Sequence, residues 1–285
     1  MKKIAKWATI ILIIGLIFAG LGAAFGGVRA ITYDHGFHII KTQTQSKQLG
    51  RIDQVKINSG AADVTITQGK RAAIKVQGDV TNAAKIRQND GTLTVNQTKD
   101  LPHIGFGSDE TIPQIKLTLP KRRLAQLNLS LDSGNLKLQN ITTQQLYLDL
   151  NGNGFTANQL KVTGNGQITT SGGDVKLTNT TLTKVDSSSS FGNISINNSH
   201  LNQSKLSSDD GDIEIENSRL TGITTLATDN GDIALTNSDS TGYHLRSKSG
   251  DIHFRDRTQQ SSYLKHPTAA NRIKATAQTG DIKIE

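Results

Sequence analysis

A glycine followed by Asp or Asn and then an apolar–x–apolar triplet recurs along the second half of the chain at an almost fixed distance. Gly134, Gly154, Gly173, Gly192, Gly211, Gly231 and Gly250 follow one another at intervals of 20, 19, 19, 19, 20 and 19 residues. The units read GNLKL, GDVKL, GNISI, GDIEI, GDIAL and GDIHF, with GDIKI after a longer insertion and GFTAN at 154 as a weak rung. Alternation over so few residues gives a short strand with one buried face. So short a unit cannot close a core alone, so copies must stack on one another.

A second apolar position stands five residues before the next glycine, at Ile168, Leu206, Leu226 and Leu245; Ser187 breaks this series and Val185 is a candidate substitute. Each unit therefore holds two short strands and two turns. The chain is expected to be all-β, a parallel β-helix-like solenoid with coils of 19–20 residues. Stacking at about 4.8 Å puts like residues above one another. Ile194, Ile213, Ile233 and Ile252 then form one internal column and Ile196, Ile215, Leu235 and Phe254 the next, with Leu182, Leu201 and Leu220 at a corner. An antiparallel sandwich of similar hairpins is the alternative, although nothing in that fold demands the strict spacing.

Two polar series accompany the repeat. Asn140, Asn179, Asn198, Asn217 and Asn237, then Asp256, stand six residues after a motif glycine. Stacked Asn tolerates a tight turn and bonds along its column, so this reads as a structural ladder. Asp174, Asp212, Asp232 and Asp251, with Asn135 and Asn193 at equivalent places, follow the glycine directly. The glycine is expected to supply a positive φ and the Asp to cap the turn. The competing role is metal binding. Asp212, Asp232 and Asp251 on consecutive coils repel one another, and a hard cation such as calcium, the one cofactor in question, would relieve that with oxygen ligands.

The looser strands in residues 51–130 suggest a β-rich region that leads into the coils and caps them, and residues 31–50 read as a polar stalk, leaving 131–285 for the solenoid proper. The last strand, ending in Glu285, is expected at the open end, where charge discourages edge-to-edge growth. The first thirty residues differ from the rest. Lys2, Lys3 and Lys6 precede an uncharged run at 7–28 that Arg29 ends. A run of this length predicts a transmembrane helix, a single-pass anchor to the cell membrane with the remaining chain outside the cytoplasm; a cleaved signal peptide is the alternative. Gly22 and Gly26 make a GxxxG pair in it.

Charge is uneven: residues 31–130 carry 14 basic and 8 acidic groups, and residues 131–256 carry 9 and 14. The basic part is suited to anionic lipid or an anionic cell-wall polymer. Lys121, Arg122 and Arg123, following Pro120, are the candidate polyanion contact. Aromatic residues make up only 4% of the chain, so nucleic acid, which needs basic and aromatic groups interleaved, is not an expected partner. The absence of Cys removes disulfides, thiolate metal sites and cysteine nucleophiles together.

The membrane-span candidate, a strand ending in LTLPK, the stretch LNLSLDSGNLKLQNI and the train of SGDI and NGDI units resemble the bacterial putative-adhesin family of β-strand repeat proteins, whose LiaG-like members belong to Gram-positive cell envelopes. The resemblance covers residues 50–285. It implies a β-helix-like domain outside the cytoplasm, loosely tied to adhesion or envelope stress, and supplies no catalytic residues.

Catalysis is the rival class, since glycoside cleavage needs two carboxylates about 5 to 9.5 Å apart. The repeat makes such pairs everywhere, whereas an active site departs from its repeat. His35 and His38 stand three apart, His200, His244 and His253 occupy dissimilar repeat positions, and the serines at 187–190 have no assigned base. The reading is a non-catalytic cell-envelope adhesion or interaction module whose repeated side chains meet a wall polymer or envelope proteins at many weak points. A scaffold or sensor working with membrane partners is the second reading, and a polysaccharide-cleaving enzyme the third.

Overall fold

The apolar–x–apolar triplets do form strands, and each strand lies beside its equivalent in the next unit. In the computed structural model, which describes residues 2–24, 31–33, 37–39, 42–79, 84–97, 112–152 and 154–285, Leu136–Gln139, Phe155–Asn158, Val175–Thr178, Ile194–Asn197, Ile213–Glu216 and Ile233–Thr236 pair in parallel and in register. A second sheet runs through Arg123–Leu131, Thr142–Leu150, Lys161–Thr170, Val185–Ser189, Lys205–Ser208 and Ile223–Asn230. Parallel pairing excludes the antiparallel sandwich. Ile194, Ile213 and Ile233 are adjacent and fully buried, as the solenoid requires. The weak rung is a regular one, with Phe155 packed between Leu136 and Val175.

Two details of the coil differ from the reading above. The corner leucines belong to a third short column, in which Thr181–Thr183, His200–Asn202 and Arg219–Thr221 pair in parallel, so the middle coils have three sides. Ser187 occupies the apolar series itself, between Ile168 and Leu206, while Val185 pairs with Gly166 and does not replace it. The stacking also extends upstream: Gln54–Ser59 and Asp63–Gln68 lie in the same two sheets, against Arg123–Leu131 and Leu136–Gln139.

At neither end do the levels follow chain order. After Ile233–Thr236 the chain passes one level and lays down Gly242–Phe254 as the outer coil, folds Arg257–Lys265 against it antiparallel, and returns as Arg272–Thr279 and Ile282–Ile284 into the skipped level. Ile282 therefore separates Ile233 from Ile252, and Ile284 separates Leu235 from Phe254, so neither predicted column is continuous to its last member. The final strand is interior rather than terminal. At the other end Gln54–Ser59 and Asp63–Gln68 sit between the first repeat coil and an outer coil made of Thr92–Gln97 and Gln114–Leu119.

Antiparallel strands finish each end. Lys85–Asn89 covers Thr92–Gln97, while Ala73–Asp79 covers Gln114–Leu119 and is followed outward by Thr42–Gln48. That last strand falls within the stretch read as stalk. Its sequence TQTQSKQ and the exposed RTQQSSYLK at the opposite end are polar and basic, which discourages sheet edges from recruiting further chains.

The N-terminal helix is described over Lys2–Ala24, and the rest of the uncharged run, 25–28, lies outside the described residues. The described part of the run, residues 7–24, measures about 27 Å at 1.5 Å per residue, against a hydrocarbon core of about 30 Å. No helix among the described residues is long and apolar enough to cross a membrane. The single-pass anchor to the cell membrane is corrected accordingly, and the outside placement loses the support that rested on it. Trp7, Ile11, Leu16 and Phe18 are exposed on this helix. Gly26 of the GxxxG pair and His35 lie outside the described residues.

Candidate interaction surface

The Gly-Asp turn is held by three devices, each repeated from coil to coil. In the first, a carboxylate accepts the backbone N–H of its equivalent one level on: Asp212 Oδ1 from Asp232 N at 2.8 Å, Asp232 Oδ1 from Asp281 N at 2.7 Å, and Asp281 Oδ1 from Asp251 N at 2.8 Å. Asn193 Oδ1 does the same for Asp212 N at 2.8 Å, and Asp63 Oδ1 for Asn135 N at 2.8 Å. The side chain thus links neighbouring coils, a role that Asn fills as well as Asp. Asp281 also separates Asp232 from Asp251, so the three residues considered for calcium do not stand on consecutive levels. Among the described residues no group of three or more His, Asp or Glu is placed to hold a metal ion.

The second device concerns the glycine. A positive φ is present only at Gly134 (98°) and Gly280 (121°) among the described motif glycines. Elsewhere crowding excludes a side chain: a Cβ on Gly211 would lie 2.5 Å from the carbonyl oxygen of Gly192, and one on Gly192 would collide with Gly173. Left-handed backbone falls instead on the ladder residues, with φ of 57° at Asn140, 54° at Asn179, 49° at Asn198 and 48° at Asn217 and Asn237. Asn is the non-glycine residue best suited to that region. The amides bond along the column only in part: Asn237 Nδ2 donates to Asn217 Oδ1 at 3.2 Å, whereas Asn179 Nδ2 donates to Asn158 Oδ1 at 3.1 Å, a strand residue one place before the left-handed Gln159. In the outer C-terminal coil the left-handed residue is Arg255, with φ 53°, so Asp256 falls off the ladder. The tight turn into Arg257–Lys265 displaces it.

The third device was missed in the sequence. Three residues before the glycine stands a buried hydroxyl, at Thr170, Ser189, Ser208, Thr228 and Ser247. Ser189 Oγ accepts from Gly192 N at 2.9 Å and Ser247 Oγ from Gly250 N at 2.9 Å, while Ser208 Oγ donates to Gly192 O and Thr228 Oγ1 to Gly211 O, both at 3.1 Å. The signal was present as Ser/Thr-x-x-Gly-Asp/Asn.

Charge on the surface is distributed by strand pairing rather than by sequence proximity. Of the predicted polyanion contact, Arg122 is turned toward Asp53 at 3.4 Å, and Arg51 reaches the same carboxylate at 3.0 Å; Lys121 and Arg123 are exposed. The denser basic feature is on a sheet face. Lys75 and Lys116 are direct cross-strand partners, both exposed, beside a shallow depression of about 450 Å³ lined also by Ser46, Gln48 and Thr118. Like charges placed opposite one another weaken a sheet. Among the described residues no carboxylate is ion-paired with either lysine. In the coils that follow, Lys176 is held by Asp174 at 3.0 Å, and that contact, with the Asn193 amide, keeps the Asp174 carboxyl below the usual aspartate range.

Three aromatic residues meet at the C-terminal end. Phe254 meets Tyr243 edge-on at 4.9 Å and stacks on Tyr263 at 4.4 Å, closing the core under the outer coil. Tyr243 Oη donates to Asp239 Oδ1 at 3.0 Å and accepts from Ser240 N at 2.8 Å. Burial pushes its pKa up to about 12, with the Asp239 carboxylate acting in the same direction against the Ser240 amide. These rings are consumed by packing and by Arg255 and Lys265, whose cations lie 5.7 and 5.4 Å from the Phe254 ring centre. They offer no open platform for stacking a sugar.

A parallel solenoid whose end levels depart from chain order and whose repeated polar groups serve the turns defines a class of β-strand repeat proteins. The chain belongs to one family in that class, Toastrack DUF4097, whose profile matches residues 52–285. A solved structure described as a putative adhesin from Bacteroides fragilis NCTC 9343 shares the fold, with a TM-score of 0.51 and 16% identity, covering 86% of this chain and 97% of that one. A putative cell adhesion protein from Clostridium sporogenes ATCC 15579 aligns at TM-score 0.28 and 14% identity, over 86% and 99% of the two chains. A putative adhesin from Parabacteroides merdae ATCC 43184 aligns at 0.29 and 12%, over 85% and 97%. No curated protein matches the sequence.

Proposed function

We propose that the protein is a non-catalytic adhesion or interaction module that engages an anionic polymer of the cell wall through its exposed sheet faces. The single observation that carries this reading is the pair Lys75 and Lys116, opposed across two strands without a carboxylate ion-paired to either among the described residues. Such a pair weakens the sheet in isolation and becomes favourable once an anion lies over it. The family and the description of its structural relative as a putative adhesin agree with a surface role. The repeated carboxylates do not support catalysis. At Asp212, Asp232 and Asp281 the Oδ1 atom accepts the amide of a neighbouring coil, the same structural task at each.

The test is co-sedimentation of the full chain with purified insoluble cell walls, before and after chemical removal of their phosphate polymers. Binding is expected at low ionic strength, weakening as salt screens exposed charges and falling on removal of the polymer. Walls that bring down no more protein than a neutral particle would refute the reading.

A further inference from the structure

The register of the sheets aligns the outward side chains along the solenoid axis. Starting at the N-terminal end, one column of a single face reads Lys75, Lys116, Thr65, Lys137, Thr156, Lys176, Ser195 and Glu214. After the opening pair, lysine occupies every second level and a hydroxyl the level between. Adjacent strands are about 4.8 Å apart, so the lysines from Lys116 onward recur at about 10 Å and the basic part of the column spans about 24 Å. From Lys137 onward the column follows the repeat, with Lys137, Lys176, Ser195 and Glu214 each three residues after a motif glycine; the placing of Lys75, Lys116 and Thr65 ahead of it is not visible in the sequence.

We propose that this column is a track for a linear phosphate polymer lying parallel to the solenoid axis, an inference that rests on the polyanion-binding reading above and specifies where and how the polymer sits. Ammonium groups bind phosphate as point charges with three donors, and the intervening hydroxyls of Thr65 and Thr156 suit the oxygens between charged groups. The flanks decide which side of the column the polymer takes. On one side Asp63 and Asp174 precede the column by two residues, the first accepting from Asn135 and the second holding Lys176. On the other, Thr118, Thr67, Gln139, Asn158 and Thr178 make a neutral polar row in the same register. The polymer runs over that row. It stops where the sign reverses, at Glu214, with Glu216 beside it engaged by Asn197 Nδ2 at 2.7 Å. Lys176 is the weakest lysine of the track because Asp174 competes for it.

Titration of the full chain with long-chain inorganic polyphosphate, repeated over a range of salt, tests the track. The double variant Lys116→Gln/Lys137→Gln should bind about ten- to a hundredfold more weakly, and its affinity should depend less steeply on salt, by roughly one to two counterions released. All four side chains in the variants are on the surface, so an unchanged unfolding midpoint is the check on folding. The control Lys121→Gln/Arg123→Gln should bind within about twofold of the parent. Glu214→Lys lengthens the track and should tighten binding of long polyphosphate more than that of tripolyphosphate, which spans too little of the column to use all its lysines at once. If the control pair loses binding and the track pair does not, the track is wrong while the general reading stands. Poly-L-glutamate binding as tightly as polyphosphate, with the same dependence on Lys116 and Lys137, would overturn the phosphate assignment. A parent that binds neither polyphosphate nor cell walls overturns both.

Discussion

At Asp232 the backbone N–H is given to Asp212 and the carboxylate oxygen receives the N–H of Asp281. What the position requires is one lone pair at short reach, and the charge is incidental. Asn193 already performs the same task for Asp212. Asp232→Asn should therefore change stability by less than about 0.5 kcal/mol, whereas Asp232→Ala, which strands the Asp281 amide, should cost about 1 to 2 kcal/mol. Urea unfolding of the two variants measures the difference. Equal losses would mean that charge, not hydrogen bonding, holds the column. The turn-capping role was legible because Asn and Asp alternate at one position of the repeat. Its direction, from one coil to the next rather than within the turn, was not, since that depends on which coil lies above.

At the scale of the element, the inner column Ile168, Ser187, Leu206, Leu226 carries one small polar residue in an aliphatic series. Ser187 is 1% exposed and its hydroxyl has no hydrogen-bond partner. A buried hydroxyl without a partner costs about 1 kcal/mol or more, and an aliphatic side chain there would restore the packing. Ser187→Val is expected to raise stability by about 1 kcal/mol, with thermal unfolding as the measurement; destabilisation would mean that the site has no room for two methyl groups. The sequence exposed this irregularity but led to the wrong repair, because Val185 faces Gly166 and its neighbour rather than the gap. Period-2 alternation identifies the buried face of a strand. It does not show where a short third side of the coil shifts the register.

In the whole molecule, the strand that ends the chain is not at the end of the stack. Ile282 is fully buried between Ile233 and Ile252, with a rung on either side. Truncating it should cost what truncation in the middle costs. Ile282→Ala and Ile213→Ala are each expected to lose about 2 to 5 kcal/mol, and to agree within about 1 kcal/mol. A loss at Ile282 of less than half that at Ile213, by urea unfolding, would place the last strand at an open edge. The end levels also leave the polar strands Thr42–Gln48 and Arg257–Lys265 outermost, so the most regular strands are never exposed as templates.

The sequence by itself determined the all-β class, the parallel stacking, the period and the identity of most inward-facing residues. These follow from local alternation and from an apolar face that one unit cannot bury alone. Tertiary structure alone decided the order of the levels at both ends and, with it, the composition of every outward column. A return of the chain into a skipped level depends on which pairings bury more surface, and that is a property of distant segments compared with one another. The opposition of Lys75 to Lys116 and their place ahead of Lys137 arise from this ordering, which is why Lys121, Arg122 and Arg123, adjacent in the chain, were the basic cluster the sequence offered as a polyanion contact.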